Sequence, residues 1–318
     1  MFDIKRFYAK CIQGNVFEAI NYLKSFENKS KDMIELEEKY EHRFVLQDEI
    51  LISDTDDPWI KDVVNCYYQY FIAVLTDKNA MEAEKALTGS LTELLSVDIN
   101  MGMDDIEMKL EMIFQEKGYS FLGGMTMPFY GPYIWKTTRR EDFLVELPCD
   151  KQEITLYFIS DFLMISWLHF ATFGRHYTGE WANEEGIYCV MNGKKEVDIN
   201  SDDFQCSFLK HEAQHLSDYE KYPKIQGAEL EYRAKLAELI YYPNTYHILE
   251  NIILQAKDDE SLTHPYASFL ISKGLSEKIF GEALVLDLEK WKVIDNSIIS
   301  ENALNLYLEN NQVLNQER

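Results

Sequence analysis

Apolar residues recur at helical intervals through the first third of the chain. Phe7, Cys11, Val16, Ala19 and Leu23 mark one such face over residues 7–26, interrupted near Gly14. A charged stretch, 28–43, follows. Residues 59–75, 80–97 and 104–117 then read as three more predicted helices, the last with Asp104 as N-cap. No self-similar period links these segments, so a helical repeat array is not supported. The pattern changes at Gly118. Residues 121–135 are crowded with Gly, Pro and aromatic side chains, which predicts turns around short strands. Segments 143–147 and 154–159 alternate as the two strands of a hairpin. Ser160 or Asp161 is then expected to cap a helix ending near Phe173, followed by a loop over 174–182 and a short strand over 186–192.

Helical periodicity returns around a group of residues with chemistry to offer. Phe204, Phe208, His211, His215 and Tyr219 fall on one predicted stripe, with Ser201, Asp202 and Asp203 as N-cap candidates before it. The stripe contains His211-Glu212-Ala213-Gln214-His215, an H-E-x-x-H. Residues four apart lie one turn above each other, so both imidazoles reach one metal ion, while Glu212 stands about 100° around the helix beside it. That is the place for a base acting on a zinc-activated water. The alternative, two core histidines held by neighbouring hydrogen bonds, carries a desolvation cost for two imidazoles without a shared partner.

A catalytic zinc takes three protein ligands. After a break at 222–227, residues 228–240 form a predicted helix whose carboxylates, Glu229, Glu231 and Glu238, are all candidates for the third. Glu231 followed by Ala234 resembles the E-x-x-A third-ligand helix of gluzincin metallopeptidases, a likeness covering roughly residues 120–270. The resemblance implies His211, His215 and Glu231 as zinc ligands, Glu212 as general base, and a catalytic domain with a small twisted sheet packed by active-site helices. It also implies that the strand entering before the metal helix is an edge, so that 187–191 would pair with extended substrate; an interior strand is the alternative. Lys235 stands where many members carry an aspartate that orients a ligand histidine, and Asp218 is a possible substitute. Gluzincins draw an oxyanion donor from beyond the third ligand, where His264 is preferred over His247, Tyr241, Tyr242, Tyr246 and Tyr266 because it enters a helix beside Pro265.

Composition narrows the setting. A formal charge of −24 over 318 residues argues against nucleic acid and anionic membrane surfaces as partners. Five scattered cysteines, with no C-x-x-C, suggest neither a disulfide framework nor a cysteine–zinc site, and no apolar signal core opens the chain, so a cytoplasmic location is expected. The sequence thus predicts an α+β protein: an all-helical region over 1–117, then a zincin-like domain over 118–318 that binds Zn2+ and hydrolyses peptide or protein substrates. The helical half is expected either to support packing or to bind a protein partner. Two rivals are a zinc-binding regulatory module without turnover and a zinc hydrolase of non-peptide amides or esters.

Overall fold

The computed structural model describes residues 2–49, 54–76, 79–183, 185–193 and 197–316. Its architecture is α+β: amino-terminal helices, a five-stranded curled sheet, then further helices. Contacts group the chain into two compact units, Met1–Arg140 with Tyr157–Gly193, and Glu141–Leu156 with Lys194–Arg318. Gly118, where the composition changes, lies inside the first.

In the first unit the helices start where side chains satisfy the free amides of the first turn. Asp3 accepts from the amides of Lys5 and Arg6 to open Ile4–Ile12, and Asn15 accepts from Glu18 to open Val16–Lys24. Gly14 between them has φ +76, and a Cβ there would lie 2.6 Å from the Phe129 ring, so two constraints require glycine. Ser30 caps Lys31–Glu41, which runs on into a π-helical turn, His42–Leu46. Pro58–Thr76, Ala80–Leu95 and Met103–Glu116 lie close to the predicted limits. Gly102, and not Asp104, is the N-cap of the last; Asp104 and Asp105 sit inside its first turn, where they favour the helix dipole. Phe7, Tyr40, Tyr67, Phe71, Phe114 and Trp167 are fully buried at the centre of this core.

The sheet departs from expectation in three ways. The hairpin strands are Tyr133–Glu146 and Lys151–Ile165, far longer than predicted. No helix begins at Ser160 or Asp161: the strand continues to Ile165, and only Ser166–Ala171 is helical. A strand and a helix that are buried on all sides both read as continuous apolar runs. Finally, the strand order is Ser120–Leu122, Tyr133–Glu146, Lys151–Ile165, Gly186–Val190, Glu180–Asn183. Gly186–Val190 is therefore interior, with the Met191 amide donating to the Ile159 carbonyl on one side and Trp181 paired with Tyr188 on the other. The expectation of an edge at 187–191 that accepts substrate backbone is overturned; the edge is Glu180–Asn183, part of which was expected as loop.

The second unit is helical apart from the hairpin tip. Its core is built from Leu236, Leu239, Leu249, Leu275, Trp291 and Ile299, drawn from the helices Ala228–Tyr241, Thr245–Gln255, Thr263–Phe280, Leu288–Lys292 and Asn296–Gln316. Trp291 is wholly buried and donates its indole N–H to the Val285 carbonyl at 2.9 Å, so its large apolar area is gained without stranding a donor. No helix among the described residues is long and apolar enough to cross a membrane.

Candidate metal centre

The H-E-x-x-H lies on Lys210–Lys221, preceded without a break by a π-helical stretch, Asp203–Leu209. Ser201 opens the run, its hydroxyl accepting from the Phe204 amide at 3.2 Å. The wider π turns shift the phase, and Tyr219 at the end of the expected stripe is 51% exposed, facing solvent. The hairpin tip seats this helix. Lys210 Nζ donates to the Glu146 carbonyl at 2.7 Å and lies 3.8 Å over the Tyr241 ring, and the Ser217 hydroxyl donates to Asp150 at 3.1 Å.

One turn apart, the two imidazoles point at each other: His211 Nε2 and His215 Nε2 are 2.9 Å apart. Glu231, on Ala228–Tyr241, spans both, with Oε2 3.6 Å from His211 Nε2 and Oε1 3.5 Å from His215 Nε2. Ala234, one turn on and fully buried, keeps that helix face small. Ligand atoms of His211, Glu212 and His215 also lie within 4.8 Å of one another, forming a group able to hold a metal ion. Two carboxylates thus flank the histidines. Glu231 approaches both nitrogens from a second helix.

The donor set fits a tetrahedral cation. Zinc–ligand bonds of about 2.0–2.1 Å place neighbouring ligand atoms about 3.3 Å apart; the imidazole nitrogens here are 2.9 Å apart, and each has a different Glu231 oxygen at 3.5–3.6 Å. Glu231 Oε2 is buried without an aligned hydrogen bond, its nearest cationic neighbour being His264 Nδ1 at 2.9 Å. Burial works against the Glu231 carboxylate, but His215, His211 and His264 outweigh it and hold its pKa at about 2, so it is ionised throughout the neutral range. Two imidazoles and a carboxylate are borderline ligands suited to zinc, and to other divalent transition ions.

Glu238 supports His211 from behind, its Oε1 2.7 Å from Nδ1. Burial disfavours the His211 imidazolium, yet the hydrogen bond and charge of Glu238, with Glu212 and Glu231 adding to them, raise its pKa above the usual histidine value. The Nδ1–H···carboxylate contact fixes the tautomer that leaves Nε2 free, and makes that nitrogen a stronger donor. Glu238 thus supplies what Lys235 cannot. Its spacing of seven from Glu231, two turns along one face, was visible in the sequence. Glu238→Gln is expected to weaken zinc binding roughly 10–100-fold in a chelator-competition titration; unchanged affinity would remove Glu238 from the site. His215 Nδ1, by contrast, is buried with no partner among the described residues.

The remaining candidates separate cleanly. His264 begins Thr263–Phe280 and reaches the cluster, its Nδ1 2.9 Å from Glu231 Oε2, without hydrogen-bond alignment and with its side chain 64% exposed. His247 is exposed and near Tyr242 instead. Tyr242 donates to Asp203, Tyr246 to Glu250 and Tyr266 to Glu260. Glu229 accepts from Asn310. Asp218 makes no hydrogen bond to a ligand histidine, though it feels the charge of His215: its two oxygens both accept from Arg233 Nε at 2.9 Å, and Gln214 donates to it as well. Arg233 Nη2 donates to the Tyr307 hydroxyl at 2.8 Å, which donates to Gln214 at 3.1 Å, closing a buried polar ring behind the histidines. Comparison with protein families, with curated proteins and with solved structures finds no match to the chain.

Proposed function

We propose that the protein is a zinc-dependent hydrolase of peptide bonds, with the site plan of a gluzincin. The observation that carries this reading is the convergence of His211 Nε2, His215 Nε2 and the Glu231 carboxylate from two helices at tetrahedral ligand separations. Zinc held there supplies Lewis acidity, polarising a carbonyl and making water nucleophilic at neutral pH. Glu212, beside both histidines on the same helix, takes the proton from the attacking water and returns it to the leaving amine. His264 enters from the solvent side of Glu231, where its ring donates to the carbonyl oxygen as negative charge builds on it. Glu238 keeps His211 in the tautomer this arrangement needs. The substrate is a peptide or protein.

The test is cleavage of a peptide library by the zinc-loaded protein. Cleavage that stops on chelation and returns with added zinc is the expected result. Stoichiometric zinc with no cleavage of any peptide would favour a metal-binding regulatory module, and cleavage confined to esters or non-peptide amides would move the substrate class.

A further inference from the structure

We infer that the first unit carries a second site, for a small organic anion: a carboxylate on an aromatic body. The place is a cavity of about 560 Å3 bordered by Lys39, Arg43, Glu49, His169 and Asn192, with Tyr68 and Phe173 among its aromatic walls. That volume falls within the range of small-ligand pockets, and apolar walls with a few convergent polar groups are their usual make-up.

The two cations play different parts. Arg43 is committed: Nε and Nη2 donate to the Glu49 carboxylate at 2.6 and 2.7 Å, Nη1 donates to the Phe170 carbonyl at 2.9 Å, and the guanidinium lies 3.6 Å over the Phe173 ring. It is a fixed and largely neutralised wall. Lys39 is not committed. Its ammonium lies 4.2 Å over the same Phe173 ring, and the carboxylate that acts on it, Glu49, is held in the bidentate pair with Arg43. Burial, and then the charge of Arg43, pull its pKa down; Glu49 opposes them only in part. Two cations, Lys39 and Arg43, share the single Glu49 carboxylate in this lining, which leaves positive charge for an incoming anion to neutralise even in a chain of net charge −24.

The rest of the lining selects the body of the ligand. His169 Nε2 lies 3.0 Å from the Asn192 amide nitrogen, and burial, with the Arg43 charge, lowers the His169 pKa, so this pair presents neutral polar groups. Rings of Tyr68, Phe170 and Phe173 line the space beside them. Tyr68 and Phe170 already stack at 5.0 Å, a surface that accepts another flat apolar group. A bare inorganic anion would leave these faces uncovered, whereas a neutral ring would leave that positive charge unneutralised.

Calorimetric titration of the full chain with benzoate, inorganic phosphate and benzyl alcohol tests this directly. Benzoate is expected to saturate a single site, and the probes carrying only the charge or only the ring to bind at least about tenfold more weakly. Lys39→Met, an exposed position at the mouth, is expected to weaken benzoate binding about tenfold with an unchanged melting temperature. Absence of saturable benzoate binding, equal affinity in the variant, or phosphate binding as tightly as benzoate would each overturn the assignment.

Discussion

Glu212→Gln is expected to lose between about 10²- and 10⁴-fold in the rate of peptide cleavage while still carrying one zinc per chain. The two halves of that result test different things. Loss of rate follows because the amide keeps the shape of the carboxylate but cannot accept the proton of the attacking water. Retention of zinc would follow if His211, His215 and Glu231 are the ligands, Glu231 lying 3.6 Å from His211 Nε2 and 3.5 Å from His215 Nε2. Cleavage rate and elemental analysis on the same preparation decide it. If zinc leaves with the Glu212 carboxylate, then Glu212 is a ligand, and the base must be sought elsewhere.

The second large effect lies behind the site. Arg233→Met should cost roughly 3–5 kcal/mol of stability, because it leaves the Asp218 carboxylate buried with its main counter-charge removed. Asp218 and Arg233 are 0% and 1% exposed, so water cannot compensate. Replacing both, as Asp218→Leu with Arg233→Met, should recover much of the loss, since the pair's attraction and its desolvation cost nearly cancel. Urea unfolding of the two variants measures this. A single variant that costs under about 1 kcal/mol would mean the buried ring around Tyr307 carries little of the fold.

Much of this was legible locally. The helices at 58–76, 80–95 and 103–116 announce themselves through apolar spacing, and the metal helix through a histidine pair one turn apart. The sheet was legible only where strands alternate. Beyond Phe158 the buried positions crowd together, at 158–159 and again at 163–165, and period two disappears from view. Which strand forms the edge depends on pairings between segments far apart in the chain, on which composition is silent. In the site, types and spacings named the participants, but not their roles. Glu229, Glu231 and Glu238 are chemically alike; only the fold shows that Glu231 lies near both histidines, Glu238 pairs with His211 alone and Glu229 turns to Asn310. Arg233 drew no attention as a helix former, yet it claims Asp218 and so removes that residue from the histidines. The π-helical entry has no sequence mark that period counting detects.

Glu231, Arg233 and Glu238 all stand on one rod of 14 residues, and each grips the neighbouring histidine helix. Displacing that rod by a single turn, about 5.4 Å, would break all three grips in the same movement. If the proposed ion binds there, its seat and the mechanical joint between the two helices are one object. Extracting the metal should slacken the joint, and any strain that shears the helices should eject the metal.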